Sequence, residues 1–413
     1  MGKLILIMVD GISADHFERI RHQLPHLDRL AREGTQVMEL TPEVCGTSLP
    51  GRTSMIVGAG ADVHGIYGNV IWDGEQFRYG NPYDVKVPTL AHYAREAGRD
   101  VAALGYGMVK PEECDLYVAP WWVSEMLMRA RDEKPWPADE QWLQAGKTHD
   151  VEERLAKLEA QGLSLDIVDP NAQPEFKLQL GMLADQQLLD VAAALAASDK
   201  APDLTLLEVC IPDYFLHKYG ADHEMSEWSL RAADAQIGTL IERLRQADVL
   251  DQYNFAIMSD HGHAPMPNGL YCDQILGPDV QWSSEGGMLL VAPRDEAQAN
   301  EVRASLEEYA VEQWNNDHLP PEQRDQLLTF AVKENSGISF ENTLAGQQGP
   351  TGPSKYRSNH GMRPGSREDY RFCLFSGPDV PRQTLLFAEA KQIAPTLARI
   401  LGIETPWQAA SLL

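Results

Sequence analysis

The chain has 413 residues, more than one hydrophobic core usually supports, so we expect a large domain with insertions, or two domains. Its 35 basic and 61 acidic residues give a formal net charge of -26, which argues against a protein that coats nucleic acid or anionic lipid. The five cysteines lie far apart without a CxxC pair, which favours buried thiols in a reducing compartment over a disulfide framework.

The first apolar run, Leu4–Val9, is far shorter than the roughly 20 residues that a membrane span requires. No small-residue cleavage site follows it, and no other stretch of the sequence approaches a membrane span. We therefore interpret this run as a strand and expect a cytoplasmic protein without a membrane partner.

Continuous apolar runs without polar alternation are typical of strands that are buried on both faces of a sheet. Five such runs occur, and helical patterns lie between them. The predicted strands are Leu4–Val9, Val101–Leu104, Leu204–Val209, Phe255–Met258 and Phe372–Phe375. The predicted helices are His26–Glu33, Thr89–Ala97, Met182–Ala197, Ser226–Ala247 and Ala388–Leu401. This alternation indicates an α/β fold with a mostly parallel central sheet flanked by helices.

Two stretches interrupt the alternation, and strand-like runs resume after each of them. Residues 118–176 contain several prolines and are predicted to form a mainly helical insertion. Residues 269–355 contain the predicted strands Met288–Val291 and Leu327–Val332 and the predicted helix Ala297–Tyr309, which indicates a small α+β cap. The catalytic core would then comprise residues 1–117, 177–268 and 356–413.

Two residues near the start of the chain have side chains suited to chemistry. Asp10 follows the first predicted strand and precedes Gly11, so its carboxylate would emerge at the end of the sheet with room for a ligand. Ser48 precedes a proline that suits the first turn of a helix, where the helix dipole stabilises an alkoxide or a phosphate. Taken singly, each residue fits helix capping at least as well.

The other candidates are carboxylates and imidazoles beside predicted strands. Asp213 and His217 are four residues apart, which places them on one face of a helical turn, as a metal would require; a surface pair is an equal alternative. Asp260 and His261 follow the strand Phe255–Met258, and His360 precedes the last predicted strand. Because ligands bind beyond the carboxyl ends of strands in such sheets, these residues together indicate a two-metal hydrolytic site.

The motifs resemble the alkaline phosphatase superfamily, nearest to the nucleotide pyrophosphatase/phosphodiesterase branch and the related phosphonoacetate hydrolases. The resemblance covers nearly the whole chain. In the family's order, the motifs are Val9-Asp10-Gly11, Ser48-Leu-Pro50, His64-Gly-Ile-Tyr-Gly-Asn69, Pro212-Asp213 through His217-Lys218, Ser259-Asp260-His261-Gly262 and Asn359-His360-Gly361.

The resemblance implies a hydrolase with two Zn²⁺ ions per chain. Ser48 matches the family's nucleophilic Thr, and Asn69 matches the Asn that contacts a phosphoryl oxygen, whereas we expect His64 to be structural. One zinc would be held by Asp10, Asp260 and His261 together with the Ser48 oxygen, and the other by Asp213, His217 and His360. The implied substrate is a small phosphate ester: a phosphodiester or pyrophosphate, or a related monoester or phosphonate.

Charge counting agrees with an anionic substrate. Two zinc ions contribute +4, and three aspartates with an ionised Ser48 contribute -4, so the metal core would be close to neutral and Arg52 would make it positive. Arg52 lies one helical turn after Ser48 and is a catalytic candidate. Contact with a further phosphoryl oxygen would favour a monoester or a phosphonate. Pairing with a carboxylate is an equal alternative.

Two rival functions stay open. Ser48-Leu-Pro50-Gly-Arg52 fits the Ser-x-Pro-x-Arg signature of type I sulfatases, in which the Ser or Cys becomes formylglycine. Two features argue against a sulfatase. Sulfatases resemble one another in placing paired Asp residues after the first strand, whereas here Asp10 is followed by Gly11. In addition, three histidines occupy ligand positions, and imidazole nitrogens suit zinc better than calcium. The second rival is a catalytically inactive homologue that acts as a binding protein, although all seven ligand positions hold competent residue types.

Overall fold

The computed structural model describes residues 2–42, 45–123, 148–163 and 177–413. Its helices are α1 (Ala14–Ile20), α2 (Pro25–Glu33), α3 (Ser48–Val57), α4 (Ala61–His64), α5 (Leu90–Glu96), α6 (Arg154–Ala160), α7 (Lys177–Ala196), α8 (Ile211–Tyr219), α9 (Glu224–Gln246), α10 (Cys272–Ile275), α11 (Glu296–Leu306) and α12 (Ile393–Leu401). Its strands are β1 (Lys3–Val9), β2 (Thr35–Thr41), β3 (Val70–Trp72), β4 (Phe77–Tyr79), β5 (Val101–Leu104), β6 (Leu116–Val118), β7 (Thr148–Asp150), β8 (Leu204–Val209), β9 (Tyr253–Met258), β10 (Ala264–Pro265), β11 (Asn268–Tyr271), β12 (Gln281–Ser284), β13 (Met288–Ala292), β14 (Val311–Trp314), β15 (Leu328–Val332), β16 (Ile338–Glu341), β17 (Thr351–Pro353), β18 (Ser358–Asn359), β19 (Arg371–Ser376), β20 (Gln383–Leu385) and β21 (Ala388–Glu389).

A ten-stranded sheet forms the centre of the described part of the chain. The strand order is β20-β2-β19-β9-β1-β8-β5-β6-β7, and β21 also pairs with β2. Every residue from Leu4 to Val9 is fully buried, although successive side chains of a strand point to opposite faces. Both faces of the sheet are therefore covered, as the apolar run predicts, and the α/β class is confirmed.

The direction of the strands corrects the expectation of a mostly parallel sheet, because the sheet is mixed. Strands β9, β1, β8, β5 and β6 run parallel, but β19 is antiparallel to both of its neighbours, β2 and β9. At the far edge, β7 is antiparallel to β6. An apolar run reports burial on both faces of a strand and carries no information on strand direction.

The predicted strands of the core are present as β1, β5, β8, β9 and β19. Among the helices, the one expected from Met182 begins at Lys177, and the last one, expected from Ala388, begins at Ile393. Residues 388–389 instead form β21 at the sheet edge, and a 3₁₀ turn with a capping box between Glu389 and Gln392 precedes the helix. Strand β2 was not predicted, since its sequence lacks an unbroken apolar run.

The predicted cap region contains a second, four-stranded antiparallel sheet in the order β12-β13-β15-β14. Helix α11 packs on it through buried Ala299, Val302 and Leu306, which share a cluster with Leu289 and Val291. A three-stranded sheet, β16-β11-β17, lies beside this cluster. The expected strand–helix–strand order is therefore present, while the proposed subdomain boundaries stay a prediction.

The predicted helical insertion is described only in part, because residues 124–147 and 164–176 lie outside the described residues. In the part that is described, β7 joins the central sheet and α6 follows it. Among the described residues, no helix combines the length and the apolar character needed to cross a bilayer.

Candidate two-metal active site

Three aspartates come together because three neighbouring strands end at the same level. Strand β1 pairs in parallel with β8 and β9, with Val9 opposite Val209 and Met8 opposite Met258. Asp10 directly follows β1, Asp260 lies two residues after β9, and Asp213 lies in the first turn of α8, directly after β8. All three side chains are buried. The register of the sheet thus concentrates three carboxylates at one edge.

The first predicted metal group is assembled around His261. One oxygen of Asp10, one oxygen of Asp260 and one ring nitrogen of His261 lie within 4.8 Å of one another. The His261 Nε2 atom lies 3.2 Å from Asp10 Oδ1 and 3.2 Å from Ser48 Oγ. Since Nδ1 of the same ring lies 3.0 Å from the Gly262 carbonyl oxygen and would donate to it, Nε2 is left as the ligand atom.

The second predicted group is assembled on helix α8. Asp213, His217 and His360 also offer ligand atoms within 4.8 Å of one another. The four-residue spacing places Asp213 Oδ2 at 3.5 Å from His217 Nε2. The His217 Nδ1 atom lies 3.1 Å from the Ser358 carbonyl oxygen, the contact that typically orients a histidine ligand. The predicted residues of both groups are therefore brought together.

His263 is an additional imidazole that was not selected from the sequence. Its Nε2 lies 2.7 Å from Asp213 Oδ1, and its Nδ1 lies 3.1 Å from Ser358 Oγ. With Asp213 and His261 it forms a third group of potential ligands, which shares one residue with each of the other two groups. The signal was visible in the sequence as a histidine two residues after His261, but the resemblance gave that position no role.

The donor set fits divalent cations. Asp10 Oδ1 is a buried oxygen without a hydrogen-bond donor among the described residues, and it faces the imidazole nitrogen of His261 at 3.2 Å. Asp260 Oδ2 likewise accepts no hydrogen bond from the described residues, although it lies 3.2 Å from Arg52 Nη1. An uncompensated buried carboxylate oxygen is costly, and a cation relieves that cost. Carboxylate oxygens and imidazole nitrogens together suit zinc better than calcium or magnesium.

Burial and the close spacing of charged groups in the site shift the pKa values of Asp10 and His261. Burial raises the pKa of Asp10 to about 7, the nearby charge of Asp260 adds to the rise, and Arg52 opposes it. For His261, burial lowers the pKa, but the carboxylates of Asp260 and Asp10 outweigh burial and raise it to about 10. The carboxylates thus raise the proton affinity of His261, and the same negative field favours a bound cation.

Ser48 is the first residue of helix α3, as the sequence predicts. Its hydroxyl therefore lies at the positive end of the helix as well as 3.2 Å from His261 Nε2. Gly51 permits this approach, because a Cβ atom at this position would lie 2.1 Å from the Asp260 carbonyl oxygen. Gly51 thus allows the helix of Ser48 to pack closely against the Asp260 segment.

Asn69 lies close to the nucleophile, where the resemblance requires it. Its Oδ1 accepts a hydrogen bond of 2.8 Å from the backbone N–H of Leu49, the residue after Ser48. This bond fixes the orientation of the amide and leaves Nδ2 as a donor. By contrast, His64 is fully buried, accepts from Ile66 N and contacts Ser54 Oγ at 3.1 Å, in keeping with a structural role.

Arg52 lies behind the metal ligands, and of the two alternatives for this residue the structure favours pairing with carboxylates over contact with a phosphoryl oxygen. Its guanidinium is 2% exposed and forms ion pairs with Asp10 at 2.5 Å, Glu208 at 2.8 Å and Asp260 at 3.2 Å. It also packs over the ring of Trp122. The alternative of carboxylate pairing is the one that the structure has. The sequence missed Glu208 because this acidic residue lies inside the buried strand β8.

This placement makes Arg52 a stabilising residue. We expect Arg52→Met to lower the free energy of unfolding by about 3–5 kcal/mol in metal-free protein, because it leaves buried carboxylates without a counterion. Arg243→Met is the matched control, since Arg243 pairs with Asp190 near the surface and should contribute less than about 1 kcal/mol. Urea unfolding measures both values. Unchanged stability in Arg52→Met, with a selective loss of monoester hydrolysis, would restore a catalytic role.

Sequence comparison identifies the family. The family model described as "Type I phosphodiesterase / nucleotide pyrophosphatase" matches residues 4–339. The bis(5'-adenosyl)-triphosphatase ENPP4 of Bos taurus is 23% identical over 263 residues, covering 63% of this chain and 47% of the relative. A venom phosphodiesterase of Naja atra is 23% identical over 259 residues, covering 63% and 26%. The chain therefore spans about half, or less, of the length of these curated relatives.

Solved structures share the fold. Murine ectonucleotide pyrophosphatase/phosphodiesterase 5 matches with a TM-score of 0.71 and 14% identity, covering 99% of this chain and 97% of the other. The human protein of the same name gives a TM-score of 0.70 and 16% identity, again covering 99% and 97%. The family match over most of the chain confirms the resemblance inferred from the motifs: the chain belongs to the type I phosphodiesterase/nucleotide pyrophosphatase family, within the alkaline phosphatase superfamily.

Proposed function

We propose that the protein is a zinc-dependent hydrolase that cleaves phosphodiester or pyrophosphate bonds in small anionic substrates through a phosphoseryl intermediate. The observation that carries the proposal is the position of Ser48 Oγ, 3.2 Å from His261 Nε2 and at the N-terminus of α3. A hydroxyl at a helix N-terminus and beside a candidate metal group is suited to nucleophilic attack on phosphorus.

Two groups of residues would hold the zinc ions. Asp10, Asp260 and His261, with Ser48 Oγ, form the first group, and Asp213, His217 and His360 form the second. Bound zinc would supply a Lewis acid for phosphoryl oxygens and a lower pKa for a coordinated hydroxyl or water. His263 would orient Asp213 through its contact with Oδ1, which leaves Oδ2 for the second group.

The protein's own residues would perform the two halves of the reaction. Ser48 Oγ attacks phosphorus, the bond to the leaving oxygen breaks, and a phosphoserine forms. Asn69 donates from Nδ2 to a non-bridging phosphoryl oxygen as charge develops there. Water then attacks the phosphoserine from the side that the leaving group has vacated, and inorganic phosphate or a monoester is released.

The local charge admits an anion although the net charge of the chain is -26. Two zinc ions would balance the three aspartates and an ionised Ser48. The buried carboxylate of Glu208, at 2.8 Å, offsets the charge of Arg52, so the arginine does not make the site positive as expected from the sequence. A nearly neutral centre suits a diester or pyrophosphate, which carries less charge at the reacting phosphorus than a monoester.

The names of the relatives support small nucleotide substrates. Two of them are a bis(5'-adenosyl)-triphosphatase and a venom phosphodiesterase, and one of the matching structures is an inactive variant of murine ENPP5 in complex with AMP. Family membership also favours phosphorus over sulfur as the reaction centre.

We further propose a cytoplasmic location. All five cysteines are buried free thiols, which supports a reducing compartment.

A substrate panel tests the reaction class. Zinc-loaded protein should hydrolyse bis-p-nitrophenyl phosphate faster than p-nitrophenyl phosphate, and p-nitrophenyl sulfate should be the poorest of the three. Initial rates at saturating zinc provide the measurement. Preferred sulfate hydrolysis would support the sulfatase alternative, and zinc binding without turnover of any phosphate ester would support the inactive homologue.

The nucleophile has its own test. Ser48→Ala should abolish turnover because no hydroxyl remains to attack phosphorus, while both zinc ions stay bound through the other ligands. Ser48→Thr is the matched control: it keeps the hydroxyl, matches the family's nucleophile and should retain measurable activity. Rates and metal content by mass spectrometry are compared. Near-normal turnover in Ser48→Ala would eliminate the phosphoseryl intermediate.

The metal assignment predicts stoichiometry. His217→Ala should retain about one zinc per chain instead of two, because the second group would keep only two of its three protein ligands. His22→Ala removes an exposed histidine away from both groups and should retain two zinc ions. Metal analysis after gel filtration gives the result, and two retained zinc ions in His217→Ala would contradict the assignment.

A further inference from the structure

A single turn of the cap contacts both sides of the candidate site. This turn, Glu285–Gly287, joins β12 to β13. The backbone N–H of Gly287 donates to the His360 carbonyl oxygen at 3.0 Å, on the side of the second metal group. Gly286 has a φ of 85°, and a Cβ atom there would lie 2.4 Å from the same carbonyl oxygen, so the contact requires glycine. The cap is thus held directly against the segment that carries His360.

The side chain of Glu285 extends from this turn to the other side of the site. It is 4% exposed, and its two oxygens each accept one backbone hydrogen bond. Asn69 N donates to Oε2 at 3.0 Å, and Val70 N donates to Oε1 at 2.9 Å. Burial raises the pKa of this carboxyl to about 7, and the two backbone donors oppose the rise. The carboxylate therefore holds two successive amides of the Asn69 segment.

Asn69 is fixed at its other end by the nucleophile helix. Its Oδ1 accepts from Leu49 N, so the residue is held between Glu285 of the cap and the first turn of α3. Without the carboxylate, the N–H groups of Asn69 and Val70 would lose their acceptors and the segment could move. A shift of about 1 Å in a transition-state donor is enough to reduce the rate strongly.

We propose that Glu285 is a positioning residue that sets the place of the Asn69 amide for the transferred phosphoryl group, an inference that rests on the proposed function. It acts through Asn69 and does not touch substrate. The cap thereby contributes to the reaction itself, since a residue outside the catalytic core determines where a phosphoryl oxygen is bound.

A double-mutant cycle tests this role. Glu285→Gln keeps the shape of the side chain but offers only one acceptor oxygen to the two N–H groups. We expect kcat/KM for bis-p-nitrophenyl phosphate to fall about tenfold, mainly through kcat, with two zinc ions retained. Asn69→Ala should lower kcat/KM about 100-fold, as removal of an oxyanion donor does. Because Glu285 acts through Asn69, the double variant should match Asn69→Ala and not fall about 1000-fold.

A second variant perturbs the same contact without removing any hydrogen-bonding group. In Gly68→Ala the new methyl group would lie 2.7 Å from Glu285 Oε1, so the carboxylate and the Asn69 segment must separate. We expect Gly68→Ala to lower kcat/KM about as much as Glu285→Gln does. In the Asn69→Ala background, Gly68→Ala should cause no further loss. Glu296→Gln is the control, because Glu296 is an exposed acid of the same cap and should leave the rate unchanged.

The possible outcomes separate the positioning role of Glu285 from the proposed hydrolase function. Additive losses in the double variants, an unchanged rate in Glu285→Gln, lost zinc or failure of Glu285→Gln to fold would each overturn the positioning role. A normal rate in Asn69→Ala would also overturn it, because Glu285 is proposed to act through Asn69. Absence of phosphodiester turnover in the wild type would instead count against the proposed function. Non-additive losses with unchanged zinc content support Glu285.

Discussion

The candidate site depends on three parallel strands, β9, β1 and β8, that end at the same level of the sheet. Pairing of β9, β1 and β8 brings Asp10, Asp213 and Asp260 together in a buried region where like charges repel strongly. On one side, Arg52 compensates the negative charge of these aspartates, and Glu208 in turn balances Arg52. On the other side, the carboxylates face the imidazoles of the site. The protein's own charges compensate these buried carboxylates only in part, which makes them a suitable site for divalent cations. The remaining candidate ligands converge at the same place.

The site combines contributions from distant parts of the chain, and each part has a separate physical task. The core supplies the carboxylates and the helix N-terminus that carries Ser48. The cap supplies the turn Glu285–Gly287, which holds Asn69 through a buried carboxylate and His360 through a backbone hydrogen bond. If Glu285 has the proposed role, the cap is part of the catalytic arrangement.

The sequence predicted the features that local patterns encode. Unbroken apolar runs predicted β1, β8 and β9, and the four-residue spacing predicted that Asp213 and His217 share a face. The features it missed depend on contacts between distant segments. The direction of β19 is set by its neighbours, the role of Arg52 by its burial beside Glu208, and the role of Glu285 by the position of the cap. A sequence pattern contains none of this information.

If the proposed function is correct, two cations bind where the strand ends meet. The most direct measurement is anomalous diffraction at the zinc edge from crystals grown with Zn²⁺. Two strong peaks are expected: one between Asp10, Asp260, His261 and Ser48, and one between Asp213, His217 and His360. A single peak, or peaks only elsewhere on the molecule, would contradict a two-metal site at the strand ends.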